Sequence, residues 1–289
     1  AVDNLPDWLH QSWRHYWGDA VTMAIADLAM LPPPLDISVK GDATVWAEKL
    51  EAQHIGGNSL RREFDGDPSL LDGFDEGAWW VQDVAAALPA KILNVTAGQT
   101  VIDLCAAPGG KTAQLITAGG TITAIDNNRK RLDRLRRNLE RLQLSASLVL
   151  GDGRNYRPTA PVDAVLVDAP CSATGTIRRR PDILIKRDVE DISALQKLQW
   201  ELATNALGWL RAGGRMVYAT CSLQPEEGED IISAIIDGAD GQYAIDPITP
   251  DQADIFARSI TDNGCVRILP SDYGDIGGVD GFFIARLLS

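Results

Sequence analysis

Two cysteines carry the clearest chemical signal in the sequence. Cys171 stands in Asp168-Ala169-Pro170-Cys171-Ser172-Ala173-Thr174-Gly175 and Cys221 in Ala219-Thr220-Cys221-Ser222-Leu223-Gln224-Pro225, each followed by Ser and each placed after an apolar, β-rich run. A free cysteine is by default a small buried hydrophobe. Two of them, each followed by Ser and each in a loop at a strand's carboxyl end, weaken that default and mark the loops as candidate chemistry. A disulfide between them is a third reading, disfavoured in a reducing compartment.

A second group of residues points to a bound ligand. Asp103-Leu104-Cys105-Ala106-Ala107-Pro108-Gly109-Gly110-Lys111-Thr112 joins a strand to a helix with small residues, which let the backbone approach a ligand closely. Read alone, such a loop is only a tight turn. The following strands, however, end in Asp126, 23 residues after Asp103, and in Gly151-Asp152-Gly153. In open α/β folds an acid at the first of these places accepts ribose hydroxyls, and one at the second can face the amino group of adenine. A single Asp would more simply be a helix cap, but three strand ends in a row presenting an acid favour an adenosine ligand. A polyphosphate loop is missing, because position 105 is Cys where the spacing to Gly110-Lys111-Thr112 requires Gly, and ATP hydrolysis is therefore disfavoured.

These residues need a parallel sheet to bring them to one edge, and the sequence supplies its pattern. Apolar runs at Thr100–Leu104, Thr121–Ile125, Ala146–Leu150, Val162–Val167 and Gly214–Ala219 alternate with helical stretches near 111–118, 128–143, 188–210 and 227–236. That alternation predicts an open sheet with helices on both faces. With the usual strand order the first, fourth and fifth of these strands lie side by side, so both thiols meet at the ligand edge. Two later runs, Cys265–Leu269 and Gly281–Leu288, are expected to close the sheet as an antiparallel hairpin. Ahead of all this, residues 1–72 read as a small α+β unit. It holds helices from Pro6 and over Ala20–Ala29, the breaker Leu31-Pro32-Pro33-Pro34, strands at Leu35–Val39 and Ser59–Phe64, and a helix at Thr44–Gln53.

At 289 residues, with 45% hydrophobic and 23% charged residues, the chain can bury a large core, and no apolar run approaches a membrane span. Four widely spaced cysteines offer neither a zinc site nor a disulfide scaffold, so a soluble, cytoplasmic protein without metal is expected. The net charge of −13 opposes a polyanionic partner overall, yet Pro225 to Asp275 alone carries 12 acids and 2 bases. Elsewhere cations cluster: Arg61-Arg62, seven between Arg129 and Arg141, and Arg178-Arg179-Arg180. The first and last clusters are candidate phosphate contacts, whereas 129–141 reads as a solvated helix face.

The quoted motifs, with Arg179 to Asp182 (Arg-Arg-Pro-Asp) and Tyr218-Ala219-Thr220-Cys221-Ser222, resemble the signatures of the Nol/Nop/Sun RNA cytosine-C5 methyltransferases, closest to the bacterial Sun/Fmu type acting on small-subunit ribosomal RNA. The resemblance runs from about Gly73 through Asp280-Gly281-Phe282-Phe283-Ile284-Ala285. It implies a Rossmann-like class I methyltransferase domain over 73–289 and a small RNA-binding domain over 1–72. It further implies S-adenosylmethionine as cofactor, held by Cys105, Ala106, Ala107, Pro108, Gly109, Gly110, Lys111, Asp126, Asp152 and Asp168. Cys221 would attack carbon 6 of the cytosine, Asp168 would bond its N3 and amine edge, Cys171 would serve the release step, and Lys111 would order the centre. The partner is RNA, unpaired or locally opened at the target, without an obligate protein partner. Two positions depart from the family pattern: Gly228 stands where Asn is usual, and Ile37-Ser38-Val39-Lys40 lacks the usual Arg and Asn. Transfer RNA in place of ribosomal RNA remains an alternative substrate. A methyltransferase of a protein or small molecule is a further alternative, against which the paired thiols stand.

Overall fold

A computed structural model describes residues 2–289. The amino-terminal helix α1 (Asp7–Leu28) is two helical pieces joined across a kink at Gly18, whose φ of 80° lies in the left-handed region. It is followed by β1 (Leu35–Val39), α2 (Ala43–Lys49), β2 (Gln53–Gly56), β3 (Ser59–Arg62) and β4 (Trp79–Val81). These strands form an antiparallel sheet of order β2-β3-β1-β4, so the small sheet takes its fourth strand from beyond residue 72. Asp42 caps α2 by accepting from the Thr44 amide, and the helix ends at Lys49, short of the expected Gln53 because Gln53–Gly56 pairs with β3 instead.

The second sheet is built from α3 (Val84–Leu93), β5 (Thr100–Leu104), α4 (Gly110–Thr117), β6 (Thr121–Asp126), α5 (Arg129–Arg141), β7 (Ser147–Leu150), β8 (Val162–Asp168), α6 (Ile183–Lys186), α7 (Val189–Leu207), β9 (Leu210–Thr220), α8 (Glu229–Gly238), β10 (Ala244–Ile245), α9 (Pro250–Ala253), β11 (Val266–Ile268) and β12 (Phe282–Leu288). Its order is β10-β12-β9-β8-β5-β6-β7, with β11 also on β12. Strands β7, β6, β5, β8 and β9 are mutually parallel, and β12 runs antiparallel to β9, with Ala285 opposite Tyr218. The expected doubly wound sheet and the antiparallel pairing of its last two runs are thus present. The sequence pattern missed α3, because Pro89 interrupts it. The helix forms nonetheless, capped by Asp83 and buried along Val84, Ala85, Leu88, Ile92 and Leu93.

Both faces of the sheet are covered. Leu135 and Leu139 of α5, Ala113 and Leu115 of α4 and the apolar side of α3 pack on one face. Leu202, Ala203, Ala206 and Leu207 of α7 with Ile231, Ile232 and Ile235 of α8 pack on the other. Because the five strands are parallel, Leu104, Asp126, Leu150, Asp168 and Thr220 all end at one edge, where connecting loops and not helices meet the solvent. Helix α1 lies against that edge: Leu9, Trp13 and Ile25 pack with Ile177, Ile183 and Leu223, and the Trp13 indole donates to Gln224 Oε1 at 2.8 Å.

Candidate active site

The two thiol loops leave adjacent strands, and their sulfurs lie 3.5 Å apart. All four cysteines are free, so Cys171 and Cys221 are a thiol pair and not a disulfide. Backbone bonds tie the loops: the Gly175 amide donates to the Cys221 carbonyl at 3.0 Å, and the Gly281 amide to the Gly175 carbonyl at 2.8 Å. The approach is close enough that a Cβ on Gly175 would stand 2.2 Å from the Gly281 carbonyl oxygen. Its bond to Cys221, its burial, and the charges of Cys221 and Glu227 push the Cys171 thiol well above the ordinary cysteine range.

Beneath the sulfurs lies Glu227, fully buried. It accepts from the Ser172 amide at 2.8 Å, from the Gln199 amide at 2.9 Å, from the Ser222 hydroxyl at 2.5 Å and from the Ser172 hydroxyl. Sequence reasoning treated 225–228 only as a family stretch with an unusual glycine. The available signal was a carboxylate a few residues after Cys-Ser in a segment that packs inward.

Lys111, in the first turn of α4, donates to Asp168 Oδ2 at 2.8 Å, so the β5 and β8 loops join beside the thiols. Burial pulls the lysine pKa down, but the charge and hydrogen bond of Asp168, with Cys221 and Asp103 adding, lift it above the ordinary value, and it stands as an ammonium. A cleft of about 520 Å³ opens here, lined by Lys111, Asp168, Ala106, Pro108, Gly109 and Gly110 at one end and by Arg134, Asn138, Arg141 and Phe74 at the other.

On the other side of the β5 loop a narrow cleft of about 60 Å³ is lined by Cys105, Asp126, Arg131, Asp152, Gly153 and Pro170. Asp126 is buried and accepts from the Asn128 amide at 3.0 Å and the Ala107 amide at 3.3 Å, while Arg131 pairs with it at 3.2 Å. Asp152 is bound by Arg154 at 2.6 Å. Both arginines are half-exposed, at 49% and 48%, so they can swing into water and free carboxylate oxygens toward the cleft. Gly109 adopts φ 105° at the start of α4, where no side chain caps the helix, which leaves its first amides open to an anionic group. Cys105, partly buried with φ 62°, has its thiol pushed up by burial first and by Asp168 and Asp126 next. Asp103 is fully buried, receives the Thr112 hydroxyl at 2.6 Å, has no partner for Oδ1, and is pushed by burial to about 7. Together the two acids at the strand ends, the uncapped helix start and the small-residue loop offer acceptors for an adenosine and amides for a carboxylate tail. Among the described residues there is no group of three or more His, Cys, Asp and Glu that could hold a metal.

The arginine expectations require correction. Arg178 is 7% exposed and reaches Asp83 at 2.6 Å and Asp280 at 3.0 Å. Arg61 is 6% exposed and grips Asp36 through two bonds of 2.6 and 2.7 Å. Arg179 pairs with the same Asp83 and Asp280 at 2.8 and 3.2 Å. Three arginines and three aspartates thus form a buried, balanced cluster that joins β1, β3, α3, the loop after Cys171 and the start of β12. Burial alone would lift Asp83, yet Arg179 and Arg178 hold it at about 2, while burial and Asp83 push Asp280 up to about 6. Arg62 donates to the Leu50 carbonyl and stacks on Phe64. Of the triplet only Arg180 is exposed, in a 3.5 Å pair with Asp182. The exposed cation at the cleft comes from α5, the cluster read as a solvated face: Arg134 is exposed there, whereas Arg141 lies over the Phe74 ring at 3.9 Å and donates to the Phe74 and Trp79 carbonyls.

With this geometry in hand, comparison with known proteins is decisive on family. The sequence model of the family described as 16S rRNA methyltransferase RsmB/F matches residues 90–288. The chain belongs to this family. The RsmB/F match takes in both thiol loops and the acids Asp103, Asp126, Asp152 and Asp168, and it leaves α1 and the small sheet outside. The ribosomal RNA small subunit methyltransferase B of Pseudomonas putida is 35% identical over 98% of this chain and 66% of that protein. The protein of the same name from Pseudomonas syringae pv. tomato is 42% identical over 98% of this chain and 65% of its own length. The chain therefore spans about two thirds of the length of these curated relatives. A solved methyltransferase homolog protein from Pyrococcus horikoshii superposes with a TM-score of 0.79, at 26% identity over 97% of this chain and 94% of that one. NSun6 from the same organism, solved with SFG, shares the fold at a TM-score of 0.84 and 20% identity, over 100% of this chain and 99% of that one. The Rossmann-like methyltransferase fold expected from the motifs is thereby borne out.

Proposed function

We propose that this RsmB/F-family protein methylates carbon 5 of a cytosine in 16S ribosomal RNA, with S-adenosylmethionine as methyl donor, in the cytoplasm. The observation that carries the reading is the thiol pair, 3.5 Å apart at the ligand edge beside the Lys111–Asp168 pair. Methylation of an oxygen or amine needs no such pair. Cytosine carbon 5 is a weak nucleophile, and a thiolate that adds to carbon 6 turns it enamine-like. In this reading Cys221 adds to carbon 6 while Asp168 hydrogen-bonds the N3 and amine edge and Lys111 offsets developing charge. When bound in the cleft beside Asp126 and Asp152, S-adenosylmethionine would supply the methyl group. In the last step a base takes the carbon-5 proton as the Cys221–carbon 6 bond breaks and Cys221 departs as the thiolate; Cys171, its sulfur 3.5 Å from that of Cys221, serves this release. Carbon 6 is shielded inside a stacked helix, so the target is taken unpaired or locally opened.

Substitution of each thiol tests the assignment. Cys221→Ala is expected to be inactive and to retain no RNA through denaturing electrophoresis. Cys171→Ala is expected to attack, methylate and release slowly, so that a protein–RNA adduct accumulates and disappears when Cys221 is also replaced. Absence of an adduct in Cys171→Ala together with full activity in Cys221→Ala would end the proposal.

A further inference from the structure

The carboxylate beneath the sulfurs is not explained by the chemistry above. Glu227 touches neither the ligand cleft nor the two thiols through any hydrogen bond, and its partners are the residues directly after them. Ser172 gives it both its amide and its hydroxyl, Ser222 gives its hydroxyl at 2.5 Å, and Gln199 of α7 gives an amide at 2.9 Å. The two serine hydroxyls are themselves 3.1 Å apart. Ser222 Oγ also accepts the Gln224 amide at 3.0 Å, which turns its own proton toward Glu227. All four donors point at an acceptor-only group, in a place closed to water. The glutamate backbone is fixed as well: its carbonyl receives the Tyr218 hydroxyl at 2.8 Å, and Arg267, paired with Glu229, donates to the Ser222 carbonyl at 2.6 Å. One carboxylate therefore spans two loops that are 50 residues apart in sequence, at the residue beside each sulfur.

We propose that Glu227 is a positioning residue, whose buried carboxylate clamps Ser172 to Ser222 and so fixes the Cys171 sulfur at the distance from Cys221 that release of the methylated base requires. The proposal rests on the two-thiol reading above. A rigid scaffold could carry either loop alone, but the separation of the sulfurs is set only where the loops are tied to each other. That tie consists of the Gly175–Cys221 backbone bond, the Leu223 amide on the Thr174 hydroxyl at 3.0 Å, the hydroxyl contacts of Ser222 with Ser172 and Thr174, and the carboxylate clamp, which alone gathers both serines beside the sulfurs onto one charged group.

Glu227→Gln preserves volume and replaces one acceptor oxygen with an NH₂ that faces donors. Misplacement of a reacting group by about 1 Å costs on the order of 100-fold, so kcat on a 16S ribosomal RNA transcript is expected to fall by about 10- to 100-fold. KM for the transcript and calorimetric affinity for S-adenosylmethionine are expected to stay within about twofold, because neither ligand touches Glu227. Ser172→Ala/Ser222→Ala, which removes two hydroxyl donors and leaves the glutamate, is expected to lower kcat in the same way and serves if Glu227→Gln fails to fold. A transcript carrying 5-fluorocytidine, whose carbon 5 has no proton to release, gives a lasting adduct with the parent protein and checks that attack itself occurs. If the parent forms no such adduct, the two-thiol reading and this inference fall together. If the parent forms it and Glu227→Gln matches parental kcat, or loses kcat, KM and cofactor affinity together, this inference alone is overturned.

Discussion

Arg178 separates two readings of the arginine triplet by its effect on stability. As a phosphate contact, its removal would weaken RNA binding and leave folding unchanged. In the structure its guanidinium bonds Asp83 at 2.6 Å, Asp280 at 3.0 Å and the Gly277 carbonyl at 3.2 Å, with the side chain 4% exposed. Arg178→Met keeps the volume and leaves two buried carboxylates with Arg179 as their nearest cation. Removal of one member of a buried ion pair costs about 3–5 kcal/mol, which in a chain of this size lowers Tm by on the order of 10 °C. The loss has a defined pH dependence. Asp280 already stands at about 6, and without Arg178 the folded-state pKa values of Asp280 and Asp83 both rise. A raised acid stabilises the fold in its protonated form and loses that contribution as pH rises. The deficit of the variant relative to the parent is therefore larger at pH 8 than at pH 5. Calorimetry across that range, with RNA binding measured against salt, provides the assay. An unchanged Tm with a salt slope reduced by one phosphate contact would refute the buried-cluster account. Arg180→Ala is the control, since its exposed pair contributes at most about 1 kcal/mol.

Asp103, pushed by burial from 3.8 to about 7, favours the fold in its protonated form, so stability falls by about 4 kcal/mol as pH climbs from about 4 through 7. Asp103→Asn is expected to flatten that part of the Tm–pH curve, and an unchanged slope would show that the carboxyl is not the titrating group. Gly175→Ala forces a Cβ to 2.2 Å from the Gly281 carbonyl oxygen and is expected to cost about 1–3 kcal/mol with a larger loss of turnover, whereas parental Tm and kcat would contradict the close approach. Asp126→Asn removes the charge while preserving shape, and calorimetry is expected to show S-adenosylmethionine bound about 10- to 100-fold more weakly; equal affinity would remove Asp126 from the cofactor cleft.

The parallel strands were legible because apolar β-rich runs alternate with helices, and α5 because Leu132, Leu135 and Leu139 recur on one side of an otherwise basic stretch. The same basic stretch shows where the reading stops. Arg134 and Arg178 are indistinguishable as residue types, yet one lines an open cleft and the other is walled in. The difference lies in partners 95 and 102 positions away, Asp83 and Asp280, which no local pattern relates to Arg178. A buried guanidinium requires opposite charge from distant segments, so the role of an arginine is decided by topology and not by its neighbours in sequence.

The thiol pair obeys the opposite logic. Strand order alone places β8 beside β9, so the meeting of Cys171 and Cys221 follows from two local motifs and one general rule about open sheets. What strand order leaves unspecified is the last few ångströms. Adjacent strands bring their ends to about 5 Å, and from there loop conformation decides whether two sulfurs touch or point apart. Here the decision is made by groups that carry no chemistry of their own: Gly175 and Gly281, which let the backbones close, the Gly175 amide on the Cys221 carbonyl, and Glu227 beneath both serines. Each of these is a contact between segments at least 46 residues apart, except Ser222 with Glu227, which are 5 apart. Chemistry-bearing residues are thus readable from local motifs, while the residues that hold them to reacting distance become visible only once the chain is folded.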